Sequence, residues 1–322
     1  MNLLSNADLS FWQRGNSFIN PANNIYTSDR FSVVKSGAMN VNVQRSTNVP
    51  TFAESGYVFP YSMQIDVVSA TSGAGDYWGI NQFVEGYDIA KAAIFGKKLY
   101  VSFWARGATA AGTLAVALGN LGGEWVFRSV EIIGDGVWRK YKIEMPETMA
   151  LSGNWNVDNG RGLFVRFVLF AGTDYQASEP TAWQAAPIKF WPTGGSTLLD
   201  PAQSLLLTGM QVSLESDAEF ALKNLTFDQE LVHCQRYYEK SYDLGIAPGT
   251  VSGNGRRVYI IQSATAGQNH TTFAVSKRAV PTVSVYSPST GAINNFRDEN
   301  TPADRSAGSN NPGVSSVGVS LL

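Results

Sequence analysis

The chain of 322 residues contains one cysteine and two histidines, and only 16% of its residues are charged. A single thiol, Cys234, excludes any disulfide framework within one chain. With only His233 and His270 available, neither with a second histidine or a cysteine at ligand spacing, the sequence argues against a zinc site. A Ser-His-Asp arrangement is disfavoured as well, since no G-x-S-x-G elbow precedes a helix. The formal net charge is −2, without a basic block, which argues against nucleic-acid binding through phosphates. No run approaches the eighteen or so apolar residues of a membrane helix. The opening MNLLSNADLSFWQRG lacks the basic start and apolar core of a secretory signal. These scarcities point to a chain made in a reducing cytoplasm, with no membrane insertion. Asn224-Leu225-Thr226 and Asn269-His270-Thr271 match the glycosylation pattern, but without a secretory signal they are read as chance.

What replaces charge is glycine, serine, threonine and asparagine between short alternating apolar segments. Residues 61–69, 77–84, 98–106, 113–118, 125–133, 138–144, 163–170 and 204–214 each carry strand character. Together they predict an all-β sandwich or barrel over residues 1–224. Asp88 to Phe95 breaks the series as one short helix, with Asp88 as N-cap and Gly96 just past its end.

Residues 225–322 read as a short helix followed by a smaller β module. Thr226 and Gln229 fit a capping box. Leu231, Cys234, Tyr238 and Tyr242 form one apolar face of a helix over 226–243, leaving Glu239 and Lys240 to water. Residues 257–262, 271–276, 283–286 and 317–322 are expected as strands. The stretch from Asn294 to Pro312, rich in Asn, Ser and Gly, is expected as an exposed loop.

Chemistry-bearing residues are few. Asp66, Glu85, Asp88 and Glu215 are the carboxylates that could pair for glycoside cleavage, though solvent exposure and helix capping account for them as well. No cofactor is implied. No D-x-D-x-D loop supports a structural calcium. Aromatic residues carry the strongest signal, because a flat ring stacks on the apolar face of a sugar. In the strand 98–106, Trp104 alternates with Leu99, Val101 and Phe103, and so shares the opposite face with Tyr100 and Arg106. An outward strip of Tyr100, Trp104 and Arg106 would suit a glycan or a partner subunit. Trp155 and Tyr175, in polar loops, make a second candidate patch.

A series of phrases also resembles bacteriophage tail-fibre and other virion surface proteins. NLLSNADLSFWQRGNSF and YTSDRF open the chain, then GINQFVEG, GKKLYVSFWARG, GVWRKYKIEMP, LTGMQVSLE, CQRYYEKSYDLGIAPGT and KRAVPTVSVYSP follow in the family's order. Phe31 stands where the family often has tryptophan, a change that preserves packing. The resemblance implies a jelly roll like those of carbohydrate-binding modules, in a non-enzymatic fibre or decoration subunit. It also implies a homotrimer bound to other virion proteins, assembled in the bacterial host cytoplasm, with host-surface glycan as a further partner. A dedicated carbohydrate-binding adhesin and, less favoured, a polysaccharide depolymerase are the competing readings.

Overall fold

The structure, a computed structural model, describes residues 1–151, 154–216, 225–258, 260–263, 266–268, 272–299 and 302–306. Cα proximity divides the chain into two units, residues 1–12 with 16–226, and residues 13–15 with 227–322. In chain order the first unit contains β1 (Ser17–Phe18), β2 (Ser32–Ser36), β3 (Asn40–Ser46), α1 (Phe52–Ser55), β4 (Ser62–Ser69), β5 (Tyr77–Glu85) and α2 (Gly86–Ala92). It continues through β6 (Tyr100–Gly107), β7 (Gly112–Gly119), β8 (Trp125–Ile132), β9 (Arg139–Glu144), β10 (Arg161–Ala171), β11 (Gln176–Ala177), β12 (Trp191–Pro192) and β13 (Ser204–Ser213).

All these strands but β11 and β12, which pair in parallel with each other, form a jelly-roll sandwich of two antiparallel sheets. One has the order β1-β3-β4-β13-β6-β9 and the other β2-β5-β10-β7-β8. The alternation read from the sequence is what closes it. Val41, Val43, Met63, Ile65, Val101, Phe103, Leu205 and Leu207 of the first sheet face inward against Trp78, Ile80, Leu114, Val116, Val165 and Phe167 of the second. Phe103 and Phe167 meet edge to face across the sandwich, with ring centroids 5.4 Å apart. Along β13 the inward parity shifts from Leu205 and Leu207 to Met210 and Val212. A bulge between Thr208 and Gln211 makes that shift, with Gly209 in the left-handed region at φ 58°. A side chain on Gly209 would also meet the Phe59 ring at 2.8 Å.

The N-terminal segment is built into the sandwich. Leu3, Leu4, Ala7, Leu9 and Trp12 join the main core. Asn2 donates to the Met210 carbonyl at 3.1 Å and accepts from the Val212 amide at 3.0 Å. Gln82, on the inward side of β5, exchanges two hydrogen bonds of 2.8 and 2.9 Å with the Ser5 backbone. A polar residue is thus tolerated in the interior because the segment satisfies it.

All eight strands expected in this unit are present within a few residues. Five more, β1, β2, β3, β11 and β12, were not expected. Asn42 and Gln44, weak strand formers, obscure the Val41/Val43 alternation in β3, and pairing with β4 supplies what propensity does not. The helix expected from Asp88 starts earlier, at Gly86 after an N-cap at Glu85, and ends with Ala93 in the left-handed region.

The second unit contains α3 (Phe227–Gln235), β14 (Ile260–Ser263), β15 (Ala266–Gln268), β16 (Asn295–Asp298) and β17 (Ala303–Ser306). Here the expectations needed more correction. The helix stops at Gln235 instead of running to 243, because the Lys277 ammonium takes the Gln235 carbonyl at 2.6 Å and the Arg278 amide takes that of Arg236 at 3.1 Å. Tyr238 and Tyr242 therefore do not continue a helical face. Glu239 is not left to water. It pairs with Lys277 at 2.5 Å, their side chains only 15% and 4% exposed, and accepts from the Ala274 amide at 3.0 Å. Lys240 donates to the carbonyls of Leu244 and Ile246. Residues 283–286 form only a bridge, between Tyr286 and Ile293. The expected loop after Asn294 instead contains the β16–β17 hairpin. The strand expected at 317–322, His270 and the two glycosylation matches at Asn224 and Asn269 lie outside the described residues.

Phe167→Ala is expected to cost about 3–5 kcal/mol by emptying the centre of the sandwich, read as a lower urea midpoint. Glu239→Ala strands the buried Lys277 and is expected to cost about 3 kcal/mol in the same measurement.

Candidate functional site

The outward strip expected on β6 lies on the predicted face, since Val101, Phe103 and Ala105 point into the core. Its exposure is another matter. Trp104 is only 7% exposed, packed with Phe59, Trp138 and Leu206 in a separate cluster on the outer face of the six-stranded sheet. Its ring is covered, so it offers no stacking platform. The Arg106 Nε donates at 2.5 Å to the carbonyl of Gly136, in the connection between β8 and β9. Tyr100 is the member of the strip that lines a recess. With Ser102, Lys142, Glu144, Ser213 and Glu215 it borders a shallow cleft of about 210 Å³. Lys98 and Glu144 form an exposed ion pair beside it.

The loop patch is also taken apart. Trp155 is 5% exposed and belongs to the main core, its ring against Phe95 and Trp183, each with centroids 5.5 Å away. Tyr175 is half-buried and sits elsewhere, on the outer face of the five-stranded sheet. The expected carboxylates are occupied by structural tasks or dispersed. Asp66 accepts from the side-chain amides of Gln44 at 2.7 Å and Gln64 at 2.9 Å. Glu85 stands at the N-cap position of α2 without a side-chain capping bond, Asp88 lies in that helix's first turn, and Glu215 lies beyond the end of β13. Among the described residues no group of three or more His, Cys, Asp or Glu side chains could hold a metal.

Tyr175 leads to a face that the sequence did not single out. The five-stranded sheet is apolar on its outer side too, where Ala115, Ala117, Trp125, Phe127, Phe164 and Val168 form a second core. Residues 173–196 lie over them and contribute Phe190 and Trp191. This cover is tied to the sheet at several points. The backbones of Trp125 and Gln184 exchange hydrogen bonds of 2.8 and 2.9 Å. Ser129 donates through its amide to Glu179 at 2.7 Å, and the Ser196 amide donates to the Thr113 hydroxyl at 3.0 Å.

One row of this face is polar. Ser32, Asn81, Arg166 and Ala117 are successive cross-strand partners on β2, β5, β10 and β7. The Arg166 guanidinium carbon stands 5.1 Å from the ring centres of both Phe164 and Phe190, and 6.0 Å from that of Tyr77. Tyr175 stacks on Phe190 at 4.7 Å and meets Tyr77 edge-on at 4.9 Å, which completes the aromatic frame. Among the described residues no carboxylate pairs with Arg166, and its enclosed Nε has no hydrogen-bond partner. Asn81 beside it is fully buried, and neither its side-chain oxygen nor its nitrogen has a partner. Each such group costs about 1–3 kcal/mol in a folded protein.

Electrostatics follow from the burial. Desolvation pushes the Arg166 guanidinium below its ordinary value, opposed only by Tyr77 and Tyr175. Burial, with Tyr77 and Asp174 adding to it, holds the Tyr175 hydroxyl above its own. The arrangement sets a guanidinium and an amide, both with unpartnered atoms, among flat rings. The signal that could have found it is the lone arginine in the apolar run LFVRFVLF, residues 163–170.

No protein-family model matches this sequence, and no curated protein does. Solved structures are similar at a distance. The family 11 carbohydrate-binding module from Clostridium thermocellum, in complex with a β-1,3-1,4-mixed-linked tetrasaccharide, is 12% identical with a TM-score of 0.33, covering 62% of this chain and 96% of its own. The C-terminal family 22 module of Clostridium thermocellum Xyn10B is 11% identical with a TM-score of 0.30, covering 63% and 96%. The tandem family 22 modules of Paenibacillus barcinonensis Xyn10C are 12% identical with a TM-score of 0.32, covering 66% and 46%.

Trp104→Ala is expected to cost about 3 kcal/mol, because the ring holds Phe59, Trp138 and Leu206 together; guanidinium unfolding reads the loss.

Proposed function

We propose that the sandwich binds carbohydrate on the outer face of its five-stranded sheet, without cleaving it. The observation that carries this reading is the unpartnered pair of Asn81 and Arg166 inside the frame of Phe164, Phe190, Tyr77 and Tyr175. Sugars present hydroxyls at their rims and C–H groups on their faces. A site for them combines polar side chains with aromatic rings, and this face has both. The dispersed carboxylates and the scarcity of histidine favour binding over hydrolysis.

The ordered phrases running from NLLSNADLSFWQRGNSF to KRAVPTVSVYSP support a biological setting for that binding. We place the chain as a fibre or decoration subunit at the surface of a bacteriophage particle, working as a homotrimer beside other virion proteins, with residues 1–224 as its binding domain. Multi-angle light scattering is expected to return three times the monomer mass of 34.8 kDa; a monomer overturns the trimer.

Asn81→Leu separates binding from folding. It removes two unsatisfied polar atoms and keeps the branching at Cγ, so unfolding free energy is expected to hold or rise by about 1–2 kcal/mol. Retention on immobilised host-surface polysaccharide is expected to disappear. A stable Asn81→Leu protein retained like the wild type would move the site elsewhere.

A further inference from the structure

The charge at this face carries the reading one step further. Arg166 is half-buried on a central strand, boxed by two phenylalanines and a tyrosine, with no anion among the described residues to neutralise it. Guanidinium groups taken out of water are ordinarily paired, because an uncompensated charge is costly to bury. A second cation lies on the same strand. Arg161 sits over the Phe83 ring at 4.1 Å, next to the end of β5, and it also has no ion pair among the described residues. The groups that act electrostatically on Arg166 are two tyrosines and no carboxylate. A neutral sugar would leave this guanidinium uncompensated. A carboxylate would meet its planar fork with two parallel hydrogen bonds and leave the Asn81 amide for a ring or hydroxyl oxygen.

We propose that the saccharide bound on the outer face of the five-stranded sheet is acidic, with the carboxylate of a uronic or sialic acid paired to Arg166 between Phe164 and Phe190. This rests on the reading of that face as a glycan site. Binding forms no covalent bond and needs no co-reactant.

Calorimetric titration of the full chain tests it, with oligogalacturonate, mannuronate and guluronate oligomers, hyaluronan oligosaccharides and sialyllactose as probes. Each is paired with its carboxyl-reduced form, which keeps the ring stereochemistry and removes the charge. At least one acidic probe is expected to bind, and its reduced form to bind about 10- to 100-fold more weakly. Arg166→Gln is expected to cost the acidic probe the same factor, and Arg166→Lys to fall between, since it keeps the charge and loses the fork. Circular dichroism and thermal melts of both variants establish that they fold, and the reduced probes test the proposal on the unmodified protein even where a variant does not.

Equal binding of a probe and its reduced form, or binding confined to the reduced forms, overturns the acidic ligand and leaves the glycan site standing. Weakening of the acidic probe by carboxyl reduction but not by Arg166→Gln overturns the role of Arg166. No binding to any probe, acidic or reduced, overturns both.

Discussion

The five-stranded sheet is apolar on both faces, and much else in the first unit follows from that. Every residue of β7, GTLAVALG, is buried. Leu114, Val116 and Leu118 fill the interior of the sandwich, while Ala115 and Ala117 face the other way into a second core. A sheet with two apolar faces must be covered twice. The six-stranded sheet covers it once. Residues 173–196 do so a second time, laying Phe190 and Trp191 on a surface kept flat by alanine and glycine. The six-stranded sheet has no such need, because its outer face carries Asn42, Gln44, Gln64 and Asp66, which water can solvate. Where it is locally apolar, around Trp104, Phe59 and Trp138 provide a smaller cover.

Against that background the row through Asn81 and Arg166 is an exception that needs a reason. An apolar pair at those two positions would extend the second core and remove several unpartnered groups. Packing alone would select it. Retaining an amide and a guanidinium costs stability at a place where rings surround them, which is the pattern of a site whose own demands override the packing of its surroundings. Position strengthens the argument. Arg166 stands on β10, with β5 bonded on one side and β7 on the other, so its backbone is fixed by two ladders. A ligand meeting it there would require little ordering of the protein, unlike one meeting a long side chain on a loop.

How far the sequence revealed this depended on the distance over which the information travels. Period-two alternation is local, and it located β4 to β10 and β13 to within a few residues. The side of the strand on which Trp104 lies was also legible, because Phe103 next to it is a core residue. Its burial was not, since Phe59 and Trp138 arrive from distant parts of the chain and nothing local marks them as neighbours. Trp155 shows the same effect, a loop residue by its polar surroundings and a core residue by its contacts with Phe95 and Trp183. In the second unit local rules failed for a different reason. The tyrosine spacing supports a longer helix, yet Lys277 and Arg278 take the carbonyls at its end, and tertiary contacts outweigh periodicity there.

Tyr175 was the one expected aromatic that shares a face with Arg166, and it was chosen for the wrong property. It was read as an exposed ring in a polar loop, whereas the structure makes it a half-buried ring stacked on Phe190, which holds the cover against the sheet. Its value to the site is therefore indirect: by fixing Phe190 it fixes one wall of the box around the guanidinium. The same cover that the apolar sheet requires for folding thus becomes the wall of the proposed site. That shared role explains why polarity, and not aromaticity, distinguishes this row: the rings would be present in any sequence that covered the sheet, but Asn81 and Arg166 would not.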